Sequence, residues 1–260
     1  MNRDLVGWVG LAASVAFVGA AVAISWGFKL RLERSIVVAV VRSAAQLLLV
    51  GAALVAVLDD DAPLAWSWLW VVAIVVFAAI TVARRAPAIP GLLPVAFAAQ
   101  GVLAIVTLAV VFGFGLFELE ARSLVPVAGM TIGNAMNASV VAATRLADVT
   151  ADHRPEIEAR LALGLPGQDA LRPFLRQILR TAMTPQIEST AALGLVFLPG
   201  AMTGLILAGV DPYDAVRTQL ALMYVILAGV AISSMITVLG ASRRVVTPDD
   251  RLLLVPRRRY

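Results

Sequence analysis

The sequence predicts an all-α, polytopic membrane helix bundle of about seven transmembrane helices, and three observations lead there. Hydrophobic residues make up 60% of the 260 and charged residues only 15%, against roughly 45–50% and about 25% in soluble domains. Mean hydropathy is +0.90. The apolar residues gather into runs of about 20, the length that crosses a hydrocarbon core about 30 Å thick. These runs are continuous rather than alternating, which excludes a β-barrel. Disorder, coiled coil, disulfide scaffold and soluble enzyme are set aside by the same figures. One transmembrane domain over residues 1–260 is expected, lying in the lipid bilayer. Cysteine is absent, so no disulfide, thiolate ligand or cysteine nucleophile is available. The net charge of +4 reflects basic loops on one side of a membrane, not a nucleic-acid partner.

Taken in order, the spans run near Leu5–Phe28, Ile36–Leu58, Leu64–Ala83, Leu92–Phe114, Leu124–Ala143, Gln186–Ala208 and Val216–Leu239. The first is too long for a signal-peptide core, and Asn2-Arg3-Asp4 before it lacks the expected positive charge. Short breaks rich in Pro, Gly and charge separate the rest. The loops sort by sign. Lys29, Arg31 and Arg34 follow the first span, Arg84 and Arg85 the third, and Arg145 to Arg180 the fifth; Arg243, Arg244 and Arg257–Arg259 come last. The alternate loops carry Asp59-Asp60-Asp61, Glu118 with Glu120, and Asp211 with Asp214. The positive-inside rule then places the N-terminus outside and the C-terminus in the cytoplasm.

The longest polar stretch, about residues 152–183, reads as two helices beside the membrane. Asp152 before Pro155 marks a helix start, with Glu156 and Glu158 in its first turn. Gly164 and Pro166 end that helix at Leu163, ahead of Leu165. A second helix begins near Asp169 or Pro173. Leu171, Phe174, Leu175, Ile178 and Ala182 fall on one of its faces, and Arg172, Arg176 and Arg180 on another. Such a pair is either an elbow for a partner protein or an amphipathic connector on anionic lipid.

The run Glu158-Ala159-Arg160-Leu161-Ala162-Leu163-Gly164 resembles the EAA loop of ABC transporter permeases. Three further stretches resemble the FetB-type iron-export permeases, whose plant relatives include aluminium-tolerance subunits. They are Arg42-Ser43-Ala44-Ala45-Gln46, Val125-Pro126-Val127-Ala128-Gly129-Met130-Thr131-Ile132-Gly133-Asn134-Ala135-Met136, and Leu198-Pro199-Gly200-Ala201-Met202-Thr203-Gly204 followed by Asp211-Pro212 and Gln219. The resemblance implies a homodimeric permease of a bacterial inner membrane. It also implies two ABC ATP-binding subunits, which bind the ATP and Mg2+, and export of iron or another small solute. ATPase coupling then falls to Glu156, Glu158, Gly164, Leu165, Arg172, Phe174 and Arg176. The family's Asp-Ser-x-Lys reads Glu188-Ser189-Thr190-Ala191 here. The acid is kept in kind, the lysine is not, and the substrate stays open among metal, chelate and sugar nucleotide.

Polar groups within spans are costly and therefore few. Arg42 and Gln46 share one face of the second span. Glu188 enters the sixth, where it either lines a cation path with Arg42 or snorkels to the interface. Asn134, Asn137 and Gln100 line a path or join helices. Met130, Met136 and Met202 offer thioethers to a passing metal or fill gaps. The pairs Gly129/Gly133 and Gly200/Gly204 read first as close helix contacts. Pro199-Gly200 suggests a broken helix of the kind that lines transporter pathways.

The sole lysine, Lys29, lies outside any G-x-x-x-x-G-K pattern, so P-loop chemistry must come from a partner. His153 is the sole histidine and sits in a loop, which disfavours an intramembrane serine protease or a resident metal site. No enzymatic role is expected of this chain. A stand-alone secondary transporter or channel is the alternative. Inverted repeats and several intramembrane acids would fit it better, and neither is evident.

Overall fold

The computed structural model describes residues 7–59, 62–194 and 198–253, and of Trp8 the backbone alone. Asn2 to Leu5, Asp60, Asp61 and Arg257–Arg259, which entered the topology argument, lie outside them. Among the described residues the chain is all-helical, with α1 (Trp8–Gly27), α2 (Glu33–Val57), α3 (Leu64–Arg85), α4 (Leu92–Gly113), α5 (Ala121–Asp152), α6 (Arg154–Ala162), α7 (Gly167–Ala191), α8 (Gly200–Leu207) and α9 (Pro212–Val245). Six of these, α1 to α5 and α9, are long and apolar enough to cross a membrane.

The chain forms two compact units, Met1–Ala62 and Pro63–Tyr260. In the first, α1 and α2 meet at a corner that places Lys29 and Arg31 at φ 54° and 58°. Buried Ser25 holds the corner: its Oγ donates to Glu33 Oε1 at 2.8 Å and accepts from the Leu32 N–H at 3.1 Å.

The second unit is built around α5 and α9, with α3, α4 and α7 packed against them. Small residues on α9 make that packing close. Gly229, Ser233, Thr237 and Ala241 recur every four residues and are all buried, forming a seam along which backbones approach. A Cβ on Gly229 would lie 2.5 Å from Leu103 Cδ1, and one on Gly240 2.4 Å from Val95 Cγ1. The glycine pairs singled out in the sequence do something else. A Cβ on Gly129, Gly133, Gly200 or Gly204 meets nothing within 4 Å among the described residues.

The polarity is that of a membrane bundle. Ile105 and Phe77 point outward, 72% and 49% exposed, while Gln100, Ser139 and Ser233 are wholly buried. A bilayer makes this arrangement favourable, because lipid tails accept apolar side chains and polar groups must find partners inside.

The expected sixth span, Gln186–Ala208, is not one helix. α7 ends at Ala191, Gly194 takes a left-handed φ of 82°, and α8 begins only at Gly200 after Pro199. Gly194, at a φ that side chains resist, and Pro199, extended at the N-cap of α8, are the residues that make continuation costly. The fifth span departs in the opposite sense. It runs past Ala143 to Asp152, because Leu146, Ala147 and Thr150 extend its buried face. At 32 and 34 residues, α5 and α9 are about 48 and 51 Å long. Both exceed the apolar core and carry polar structure beyond it.

Candidate coupling elbow and transport path

The extension of α5 sets the position of the elbow. Asp152 is the last residue of α5, not the start of the next helix; His153 closes α5 and opens α6, with Pro155 in the first turn. Glu156 and Glu158 are exposed and pair at i, i+4, Arg160 with Glu156 at 3.1 Å and Arg154 with Glu158 at 2.7 Å. Such surface pairs contribute about 0.3–0.5 kcal/mol each. Burial of Ile157, 0% exposed, contributes more, on the order of 1.5–3 kcal/mol. Phe174 of α7 is buried against α6: the His153 ring centroid lies 5.0 Å from its own, and the Arg160 guanidinium carbon 5.8 Å. His153 is half-exposed, so it is both a loop residue and part of this contact.

Gly164 makes the turn. Its φ is 84°, its N–H donates to Leu161 O at 2.9 Å, and the Leu165 N–H reaches Arg160 O at 3.3 Å. That is the left-handed cap a side chain resists. Leu163 and Leu165 flank it, 84% and 39% exposed. α7 then starts at Gly167, two residues before the earlier of the two expected points. Leu171, Phe174, Leu175, Ile178 and Ala182 are buried, and Arg172, Arg176 and Arg180 are exposed, as the periodicity predicts.

α7 continues unbroken to Ala191 and places Glu188, exposed, in its last turn. A carboxylate there adds to the negative end of the helix dipole, an unfavourable arrangement that a cation would relieve. Beyond the break, α8 holds Met202, half-buried. On α5, Met130, Asn134 and Asn137 share one open face with Gly129 and Gly133. Asn134 Nδ2 donates to Met130 O at 2.8 Å, and both asparagines are exposed. Arg42 and Gln46 stand on α2 of the first unit, one turn apart and exposed. α2 begins at Glu33, which puts Arg42 about 14 Å along the helix. No group of three or more His, Cys, Asp or Glu residues comes together among the described residues.

Gln100 belongs to a buried node instead. Its Nε2 donates to Ser139 Oγ at 3.3 Å and Ser233 Oγ at 3.1 Å; the two serines are 2.9 Å apart, and Thr237 Oγ1 donates to Ser139 Oγ at 3.2 Å. Four side chains thus tie α4, α5 and α9 together. The sequence reading missed the three hydroxyls. The four-residue spacing of Gly229, Ser233, Thr237 and Ala241 was the available signal.

A bundle with apolar helices facing out, a polar node within, a broken helix and a capped elbow defines a multi-pass integral membrane protein. The comparisons narrow this. Residues 8–246 match the profile of the uncharacterised protein family UPF0014, and the chain belongs to that family. It is 34% identical over 229 residues to the "UPF0014 membrane protein YjkA" of Bacillus subtilis, covering 88% of this chain and 91% of that one. It is 34% identical over 237 residues to the "Probable iron export permease protein FetB" of Escherichia coli, covering 91% of each. Similarity extends to plants, with 33% identity over 235 residues to the "UPF0014 membrane protein STAR2" of Oryza sativa, covering 90% of this chain and 81% of that one. No solved structure matches the chain.

Proposed function

We propose that this chain is the membrane subunit of an ABC transporter that exports a small metal cation, iron foremost, across the bacterial inner membrane. Two copies form the channel and two separate ATP-binding subunits, holding ATP and Mg2+, drive it. The N-terminus lies outside and the C-terminus in the cytoplasm. The observation that carries this reading is the α6–Gly164–α7 elbow: a compact, capped corner with an exposed apolar tip at Leu163 and Leu165. A lone carrier has no use for such a projection. The name of the Escherichia coli relative supports the substrate and the direction.

The geometry supports a specific transmission. Ile157, Phe174, His153 and Arg160 make α6 and the start of α7 one rigid piece. α7 has 25 residues and is about 38 Å long. Movement of the elbow when the ATPases close therefore arrives at Glu188, beside the break before α8. The open face of α5 with Met130, Asn134 and Asn137, the Glu188 carboxylate and Met202 supply the path. Amides at that depth are costly against lipid, so that face meets the second copy or the water-filled route between copies.

The test is an affinity pull-down of the tagged chain from its own membranes beside a Gly164→Trp variant. The reading expects a P-loop ATPase to come down with the unaltered chain and to be lost from the variant, which inserts normally. Absence of any ATPase from both preparations under gentle detergents would leave the stand-alone carrier as the better reading.

A further inference from the structure

Beyond α9 the chain turns back on itself. Val246 and Leu252 form an antiparallel bridge, the Thr247 N–H donates to Arg251 O at 2.8 Å, and the Leu253 N–H donates to Val245 O at 2.9 Å. The turn is tightened by the Asp250 N–H, which donates to Thr247 O at 3.0 Å, with Asp250 itself at φ 53°. This small hairpin is aimed at the first turn of α7. Asp250 Oδ1 accepts the Gly167 N–H at 2.9 Å, across 83 residues of sequence.

Two more contacts fasten the same place. Gly167 is buried, and a Cβ on it would lie 2.7 Å from Val246 Cγ1, so the hairpin rests on its bare backbone. At the end of α9, Ser242 Oγ donates to Gln168 Oε1 at 3.2 Å. Asp250 fills a role that α7 cannot fill locally. The residue before Gly167 is Pro166, which has no side-chain acceptor, so the Gly167 N–H, one of the orphan donors of a helix start, takes its acceptor from Asp250.

We propose that Asp250 and the hairpin of residues 246–252 form a latch that joins the elbow to α9. Asp250 is a positioning residue for coupling: through it, elbow movement enters α9 and the helices packed on it, in addition to travelling along α7. This inference rests on the ABC-coupling reading above.

The test uses the full chain purified with its ATPase, unaltered and as Asp250→Ala, Asp250→Asn and Gly167→Ala, with ferrous iron as the transported probe. Three quantities are read: ATPase recovered with the chain, hydrogen exchange at the amides of residues 167–170, and iron moved per ATP hydrolysed. Asp250→Ala and Gly167→Ala are expected to retain the ATPase, exchange at least tenfold faster at those amides, and move at least fivefold less iron per ATP. Asp250→Asn, whose amide oxygen still caps, is expected to stay within twofold of the unaltered chain. The latch is overturned if Asp250→Ala exchanges as slowly as the unaltered chain, or exchanges faster yet couples normally. Failure of the unaltered chain to bring down an ATPase is a separate result, which removes the coupling reading itself.

Discussion

Replacing Gly229 with alanine tests whether the bundle depends on the close approach of α4 and α9. The new methyl carbon would lie 2.5 Å from Leu103 Cδ1 and 3.0 Å from Thr107 Cγ2. Comfortable carbon–carbon contact is about 3.5–4.0 Å, so Leu103 must retreat by about 1–1.5 Å. It has little room, being 0% exposed. Thr107 is held as well: it is β-branched, and its Oγ1 donates to Leu103 O at 2.8 Å. Overpacking of this kind costs about 1–3 kcal/mol, while alanine gains up to about 1 kcal/mol over glycine in helix propensity. The net expectation is a destabilisation of up to about 2 kcal/mol. Gly101→Ala is the control, because a Cβ there meets nothing within 4 Å, and only the propensity gain applies. Thermal unfolding of both variants in mild detergent should move them in opposite directions. A Gly229→Ala protein as stable as Gly101→Ala would refute the seam.

The buried node and the elbow give further expectations. Gln100→Leu and Ser233→Ala, combined in a double-mutant cycle, should show coupling of about 0.6–1.7 kcal/mol; strict additivity would remove the hydrogen bonds between them from the account. Ile157→Ala should cost about 2–5 kcal/mol locally and expose α6 to protease while α3 and α4 stay protected. Asn134→Leu and Asn137→Leu, at exposed positions, should leave stability within about 0.5 kcal/mol and reduce metal export at least tenfold. Unchanged export would take α5 off the path.

Where a single local rule decides the structure, the sequence shows it. α3 and α4 lie within about two residues of their expected bounds, since Pro63, the Arg84-Arg85 pair and Gly91 mark their ends. The elbow's cap at Gly164 and the arginine face of α7 follow from glycine conformation and helical period. Pro199-Gly200 signalled a break in the sixth span, but not where it starts: average hydropathy runs on past Ala191, where α7 already ends ahead of Gly194 at φ 82°. The length of α5 was hidden for a related reason: Arg145, Asp148 and Asp152 look like a loop, yet they occupy the outer side of a helix whose inner side stays apolar. Close-packing glycines could not be told from open ones by spacing. Gly129 and Gly229 differ only in what the fold sets opposite them. Asp250 has no local signal, since its partner is 83 residues away.

ATP-dependent flux decides whether the elbow couples this chain to a motor. The chain and its co-purified ATPase, sealed into vesicles with ferrous iron inside or outside, should move iron in one direction only. That movement should require hydrolysable ATP and fail with Gly164→Trp. Iron moving down its gradient through the chain alone, indifferent to ATP and to Gly164, would contradict the account.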